Sequence, residues 1–365
     1  MKIKEIKFAK LTVPLKTPFK TAIRTVNEIE DIIVMVETDC GHTGYGEAPA
    51  TASITGETLG SIVAAIDTVI KPRIIGKSIE NINELTHIIQ TSLVKNYSAK
   101  AAVEIALYDL FGQLYKSPLY KLLGGGEPIL STDITISVDY IDKMVEDSLN
   151  AVESGFDTLK IKVGKDLMLD VERVKAIYAA VKDKALLRLD ANQGWKPKEA
   201  VYAIQKLEDS GVKLELVEQP VHAEDLAGMQ YVTERVMTPI MADESVFGPK
   251  DALDVIKMRA ADIVNIKLMK TGGISNAIKI ADIASIYDVQ CMVGCMLETS
   301  VSVAAAVHFA VAKSSCVTKI DLDGPSLCQY EPVKTGVIFN NSEISIQDAP
   351  GLGIKDAKAL KIIKT

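Results

Sequence analysis

Between residues 159 and 267 the chain repeats one unit, an apolar run of strand length that stops on a charged residue and is followed by a stretch of helical composition. The runs at 159–162, 186–190, 214–218 and 240–243 stop on Lys162, Asp190, Glu218 and Asp243, and a further run stops on Lys267. Intervals of 28, 28, 25 and 24 residues separate these stops, enough each time for a strand, a loop and a helix of about 12 residues. Glu298 and Asp323 continue the series. Such a period predicts a βα barrel, whose parallel strands bring the residues at their carboxyl ends to one face. Three carboxylates flanked by lysines are therefore expected to meet in space.

With 365 residues the chain exceeds the roughly 250 to 300 at which single cores stop growing, so two domains are expected. Residues 1–124 lack the barrel period. Strand-like stretches at 3–13 and 32–38 precede a helical pattern at 98–110 that opens on Ser98 as a good N-cap, which predicts an α+β module. Pro118 and Gly124-Gly125-Gly126 mark its boundary. The barrel then occupies 125–329, with its first strand at 132–138 and its eighth at 317–323. After Gly324-Pro325 an eighth helix is doubtful, and a hairpin of 336–339 with 343–346 is expected to return to the first domain within the tail 330–365.

A net charge of -7 argues against a nucleic-acid partner. No run approaches about 18 apolar residues, and the start lacks a signal-peptide stretch, so no membrane span and a cytoplasmic location are expected. Five cysteines without metal or redox spacing read as reduced thiols, and four histidines argue against a histidine-rich zinc site.

Asp190, Glu218 and Asp243 offer only hard oxygen donors, a set that suits one Mg²⁺ per subunit; the competing reading pairs them with loop lysines. Asn192, two residues after Asp190, is placed to steady a ligand. Lys160 and Lys162 alternate on one strand and share a face, so their repulsion is expected to depress one of them into a base. Lys267 comes from the sixth strand, across the mouth from the second. A carbon held between Lys162 and Lys267 would present opposite faces to two proton-transfer groups, the geometry for inverting a stereocentre. Loss of a proton beside a carboxylate creates an enolate, whose charge the cation and Lys160 would stabilise.

Lys160-Ile161-Lys162, Asp190-Ala191-Asn192, Glu218-Gln219-Pro220, Asp243-Glu244-Ser245 and the run from Lys267 to Gly273 resemble, in order, the motifs of the muconate-lactonizing-enzyme subgroup of the enolase superfamily. The resemblance covers essentially the whole chain. It implies an α/β fold, a modified (β/α)7β TIM barrel without an eighth helix, under an α+β N-terminal capping domain formed by residues 1–124 and the C-terminal tail. It also implies Mg²⁺ on Asp190, Glu218 and Asp243, with Lys162 and Lys267 as the acid/base pair. Within the subgroup the chain resembles the dipeptide epimerases, typified by the L-Ala-D/L-Glu epimerases. Asp321-Leu322-Asp323 looks like their Asp-x-Asp motif, two carboxylates facing one way to bind a substrate's ammonium. Members acting on lactones or succinylated compounds have no such ammonium to hold.

In this family two loops close over the substrate, here 17–25 and 50–56, and Arg24 is placed to meet a side-chain carboxylate. Thr135 on the first strand and Glu298, Thr299 and Ser300 after the seventh are expected to line the dipeptide pocket. Ser300 departs from the lysine that the resemblance implies for acidic-dipeptide members, which counts against an Ala-Glu preference and leaves hydrophobic or other dipeptides open. A homo-oligomer is expected, since relatives are often dimers or octamers. The alternatives are an o-succinylbenzoate synthase, an N-acylamino-acid racemase, a muconate-type cycloisomerase, a Schiff-base lyase using Lys162, and a barrel that only binds.

Overall fold

The structure, a computed structural model, describes residues 1–21, 24–355 and 360–363. Its N-terminal sheet is antiparallel, ordered Lys361–Ile363, Ile3–Lys20, Thr25–Thr38, Thr43–Pro49. Strand alternation divides its side chains between two faces. Phe8, Ile32, Val34 and Val36 join the sheet's own helices in the main core, whereas Ala9, Leu11, Val13, Ile33 and Met35 pack with Leu297 and Val301 of the barrel. The sheet is thus buried on both sides, and its second face is the contact with the catalytic half of the chain.

Helix Tyr97–Leu114 lies against strand Thr43–Pro49 and is buried along nearly its whole length. Gly44 and Gly46 make that approach possible, because a Cβ there would stand 2.1 Å from the Ala106 carbonyl oxygen and 1.9 Å from that of Ala102. The helix begins two residues earlier than a Ser98 cap would place it, with Asn96 in the cap position. The Glu57 carboxylate accepts hydrogen bonds from the Ser98 and Ala99 amides at 2.8 and 2.9 Å, so the cap comes from a distant residue that local patterning cannot reveal.

The barrel strands are Ile134–Ile136, Thr158–Lys162, Leu186–Asp190, Leu214–Glu218, Ile240–Ala242, Ile263–Lys267, Gln290–Gly294 and Val317–Asp321, all parallel and in chain order. After the eighth comes only the single turn Gly324–Leu327. Where the eighth strand meets the first, Asp323 Oδ2 accepts from the Thr135 amide at 2.8 Å and Thr132 Oγ1 accepts from the Leu322 amide at 2.8 Å. The hairpin forms at Val337–Asn340 and Glu343–Ile346, but it does not return to the first domain as expected. It pairs with Ile129–Ser131, which lets fully buried Ile344 meet Leu130 beside the barrel. Lys361–Ile363 instead supplies the returning edge of the N-terminal sheet. Among the described residues no helix is long and apolar enough to cross a membrane, and the five cysteines are free thiols.

Asp109, 1% exposed, ties helix Tyr97–Leu114 to two other segments by accepting from the amides of Tyr45 at 3.2 Å and Leu352 at 2.8 Å. Burial pushes its carboxyl up to about 7. A carboxyl raised on folding contributes stability that is complete below its unfolded pKa of about 4 and is lost as pH rises through the folded value. Asp109→Asn should therefore remove part of the decline in stability between pH 4 and 7, by at most about 1.4 kcal/mol per pH unit. Urea midpoints of the two proteins across that range measure it.

Candidate active site

The site grows out of strand periodicity. On each strand the residues facing the barrel interior alternate, and one layer down Leu216, Met241, Ile263 and Met292 form an apolar floor. Two positions further along those strands, the same face carries Glu218, Asp243 and Asn265. Lys160 and Lys162, Arg188 and Asp190, and Lys319 and Asp321 follow the same register, and Asp323 stands two residues past the end of its strand. Below the mouth, Arg188 is fixed by Asp133 at 2.7 Å and Glu215 at 2.5 Å. The charged layer thus rests on apolar packing and one buried arginine cluster.

Within the mouth the groups are in direct contact. Lys162 Nζ lies 2.5 Å from Asp190 Oδ2, and Lys267 Nζ lies 2.8 Å from Asp243 Oδ2. Lys160 Nζ stands between Glu218 and Asp321, 2.7 Å from each, and 3.3 Å from Asp190. The sequence reading expected lysine repulsion to depress one amine, and Lys160 goes the other way. Burial alone would lower it, but Asp321, Glu218 and Asp190 hold its ammonium well above the usual lysine range. Burial likewise opposes the Lys267 ammonium, and Asp243 outweighs it and raises the group.

The carboxylates are held by neighbours that sequence reasoning passed over. Asn265 Nδ2 donates to Glu218 Oε1 at 2.7 Å; its spacing of two from Lys267, like that of Lys160 from Lys162, was the available signal. Gln219 is wholly buried in left-handed backbone, φ 36°, and its side-chain oxygen accepts from the Asp243 amide at 2.9 Å and the Ser245 amide at 3.1 Å. A non-glycine residue held in that region is kept there by its surroundings. Lys270, fully buried, donates to the main-chain oxygens of Asp243 and Asn265 and stands 2.6 Å from Asp243 Oδ1. Asn192 donates its amide to Asp190 Oδ1 at 2.9 Å and its Nδ2 to Glu244 at 3.4 Å.

Counting Glu244, six buried carboxyl groups face four buried ammonium groups, those of Lys160, Lys162, Lys267 and Lys270. This imbalance shows in the weakest members. Burial and the charge of Asp190 push Glu218 up to about 7, while burial and Asp243 push Glu244 up to about 8. Among the described residues, no three acidic, histidine or cysteine side chains already enclose a cation position. The donor chemistry nevertheless fits a hard divalent ion: all-oxygen, dry and short of positive charge, with Asp190, Glu218 and Asp243 on adjacent strands.

A cavity of about 40 Å³ opens onto Lys160, Lys162, Lys267, Asp321 and Asp323, with Thr135 and Asn192 also in its wall. Phe19 and Ile54, from the segments 17–25 and 50–56, also line it, the Phe19 ring lying 5.7 Å from Lys162 Nζ. Arg24 reaches the same space, and among the described residues its guanidinium has no ion pair; residues 22–23 of that segment lie outside the described residues. The expectation for the segment after the seventh strand needs correction. Glu298, Thr299 and Ser300 do not line the cavity; Cys295, Met296 and Leu297 do. Glu298 folds back to the Met296 amide, while the Thr299 hydroxyl binds Glu47 and the Ser300 hydroxyl binds Glu331, because the helix that starts here turns them away from the mouth.

Residues 3–124 match the family model of the mandelate racemase / muconate lactonizing enzyme N-terminal domain, and residues 143–358 match that of the enolase C-terminal domain-like family. The chain is 54% identical over 355 residues to the L-Ala-D/L-Glu epimerase of Clostridium acetobutylicum, covering 97% of this chain and 99% of that protein. The substrate-liganded L-Ala-D/L-Glu epimerase of Bacillus subtilis superposes with a TM-score of 0.95 at 50% identity, over 97% of this chain and 99% of that one. The dipeptide epimerase of Enterococcus faecalis, complexed with Mg and L-Leu-L-Tyr, gives a TM-score of 0.93 at 43% identity, over 98% and 100%.

Proposed function

This chain belongs to the mandelate racemase / muconate lactonizing enzyme family of the enolase superfamily, and on that footing we propose that it is a dipeptide epimerase, an isomerase that inverts the α-carbon of a dipeptide's C-terminal residue. The observation that carries the reading is the coincidence, in one cavity, of lysines on opposing strands with the Asp321 and Asp323 pair. An α-carbon between Lys162 and Lys267 offers its proton to one lysine and receives another on its opposite face. Asp321, which ends the eighth strand, and Asp323, two residues beyond it, take the substrate's ammonium. The Thr135 amide holds Asp323 Oδ2 at 2.8 Å and so fixes half of that clamp.

Asp190, Glu218 and Asp243 are the residues to hold Mg²⁺, with Asn192, Asn265, Gln219 and Lys270 keeping them in place. Bound there, the cation would supply positive charge to the substrate's carboxylate as negative charge develops beside the α-carbon. Lys160 adds a further ammonium at the same end of the cavity. Phe19 and Ile54, which line the same cavity, are placed to exclude water from the lysines when a dipeptide is bound.

The experiment is NMR of L,L-dipeptides with Mg²⁺, reading the appearance of the C-terminal D epimer. Chelation should abolish turnover and Mg²⁺ restore it, and Asp321→Ala or Asp323→Ala should lower kcat/KM at least about 100-fold, the loss of a buried charged hydrogen bond. Turnover unaffected by either substitution would remove the ammonium clamp, and activity confined to a succinylated or lactone substrate would replace the epimerase reading. Arg24, half-buried in the cavity wall and without an ion pair among the described residues, supports acidic side chains at the inverted residue. Arg24→Ala should lower kcat/KM for L-Ala-L-Glu about 10- to 100-fold more than for L-Ala-L-Leu; equal losses would mean that Arg24 does not select the side chain.

A further inference from the structure

Cys295, Met296 and Leu297 form one wall of the cavity, and the helix Ser300–Ala312 begins immediately behind them. That helix is buried all along its length to Val311, has no acidic residue in its first turn, and its N-cap residue Thr299 makes no capping bond of its own. A buried helix start without local caps leaves orphan amides that something else must satisfy. Here the cap arrives from the other domain. Glu47, the fifth residue of strand Thr43–Pro49 and fully buried, places Oε1 2.9 Å from the Thr299 amide and 2.8 Å from its hydroxyl. Its Oε2 lies 3.0 Å from the Ser302 amide and 2.9 Å from the Ser302 hydroxyl. Both carboxylate oxygens therefore accept, each from a backbone amide whose direction is fixed. Among the described residues no ion pair reaches Glu47; besides the helix amides and hydroxyls, its side-chain neighbour is the buried Asp31 carboxyl, which burial and Glu47 hold well above the usual carboxylate range. Glu298 accepts from the Met296 amide at 2.6 Å and completes the hold on the loop.

We propose that Glu47 is a positioning residue for substrate: by plugging this helix start from the capping sheet, it holds the wall 295–297 in the form that closes the dipeptide cavity. The kinetic part of the inference rests on the epimerase reading; the mechanical part does not. Glu47→Gln keeps the shape but turns one accepting oxygen into a donor, which must face either the Thr299 or the Ser302 amide. Asp109→Asn is the comparison, since Asp109 contacts the same strand at Tyr45 without touching the helix.

Hydrogen exchange on the full chain and dipeptide kinetics with Mg²⁺ test both parts. Glu47→Gln should speed exchange of amides 296–302 at least about tenfold and raise KM at least about tenfold, with kcat changing less than about threefold. Asp109→Asn should leave KM and that exchange unchanged. If Glu47→Gln fails to fold, Ser302→Ala, which removes one donor, should show a rise of about threefold in both readouts. Unchanged exchange in the variant that folds would overturn the hold itself, and faster exchange with unchanged KM would overturn its role in placing substrate. An equal KM rise in Asp109→Asn would also overturn it, by assigning the effect to the sheet as a whole. A wild-type protein that turns over no dipeptide would defeat the epimerase reading, and the exchange comparison would still decide whether Glu47 holds the loop.

Discussion

Six carboxyl groups and four ammonium groups packed into a dry barrel mouth are the constraint on which the rest of this molecule depends. Buried charge is costly unless every lone pair and proton finds a partner, and pairing alone often fails to recover the cost. The surrounding structure supplies those partners. The apolar floor of Leu216, Met241, Ile263 and Met292 keeps the charges in one layer, and Gln219, Asn265 and Lys270 fix individual carboxylates from behind. The residual excess of negative charge is the feature on which the proposed binding of a dication and of a substrate ammonium rests.

The two domains meet through the same economy of partners. The capping sheet turns one apolar face toward Leu297 and Val301 and sends Glu47 into a helix start of the barrel. A second carboxylate, Glu104 on helix Tyr97–Leu114, accepts from the Ser275 amide at the start of helix Ile274–Ile286. Gly273 lies so close to Glu104 that a Cβ there would stand 2.7 Å from its carboxyl carbon. The helices that follow the sixth and seventh strands are thus both capped from the other domain, beside the strands that carry Lys267 and lead into the cavity wall. The cavity wall and the strand carrying Lys267 are consequently packed against the N-terminal domain rather than forming part of a free-standing barrel.

Much of the site was legible because strands impose a period of two and the barrel imposes a common end. Lys160 with Lys162, and Asp321 with Asp323, could be assigned to one face before any coordinates, and charged strand ends could be assigned to one mouth. The structure brings Arg24, Thr135, Asn192 and both of these pairs to a single cavity. Glu298, Thr299 and Ser300 were misread because a loop running into a helix start has no period to say which way a side chain points. Ser98 was misread for a related reason: its amide is satisfied by Glu57, a residue remote in sequence. Glu47, Gln219 and Asn265 act by contacts across the chain, and only Asn265 carried a pattern that could have found it. The lysine electrostatics were invisible too, since repulsion between Lys160 and Lys162 is outweighed by carboxylates from three other strands.

The central claim is that Lys162 and Lys267 address opposite faces of one carbon. Its most direct test is deuterium incorporation at the C-terminal α-carbon in D₂O with Mg²⁺, comparing Lys162→Ala and Lys267→Ala on each epimer of one dipeptide. Two opposed bases predict that neither variant inverts the centre, and that each retains exchange on only one epimer, a different one for each variant. Inversion by either variant, or retained exchange on the same epimer in both, would contradict the account.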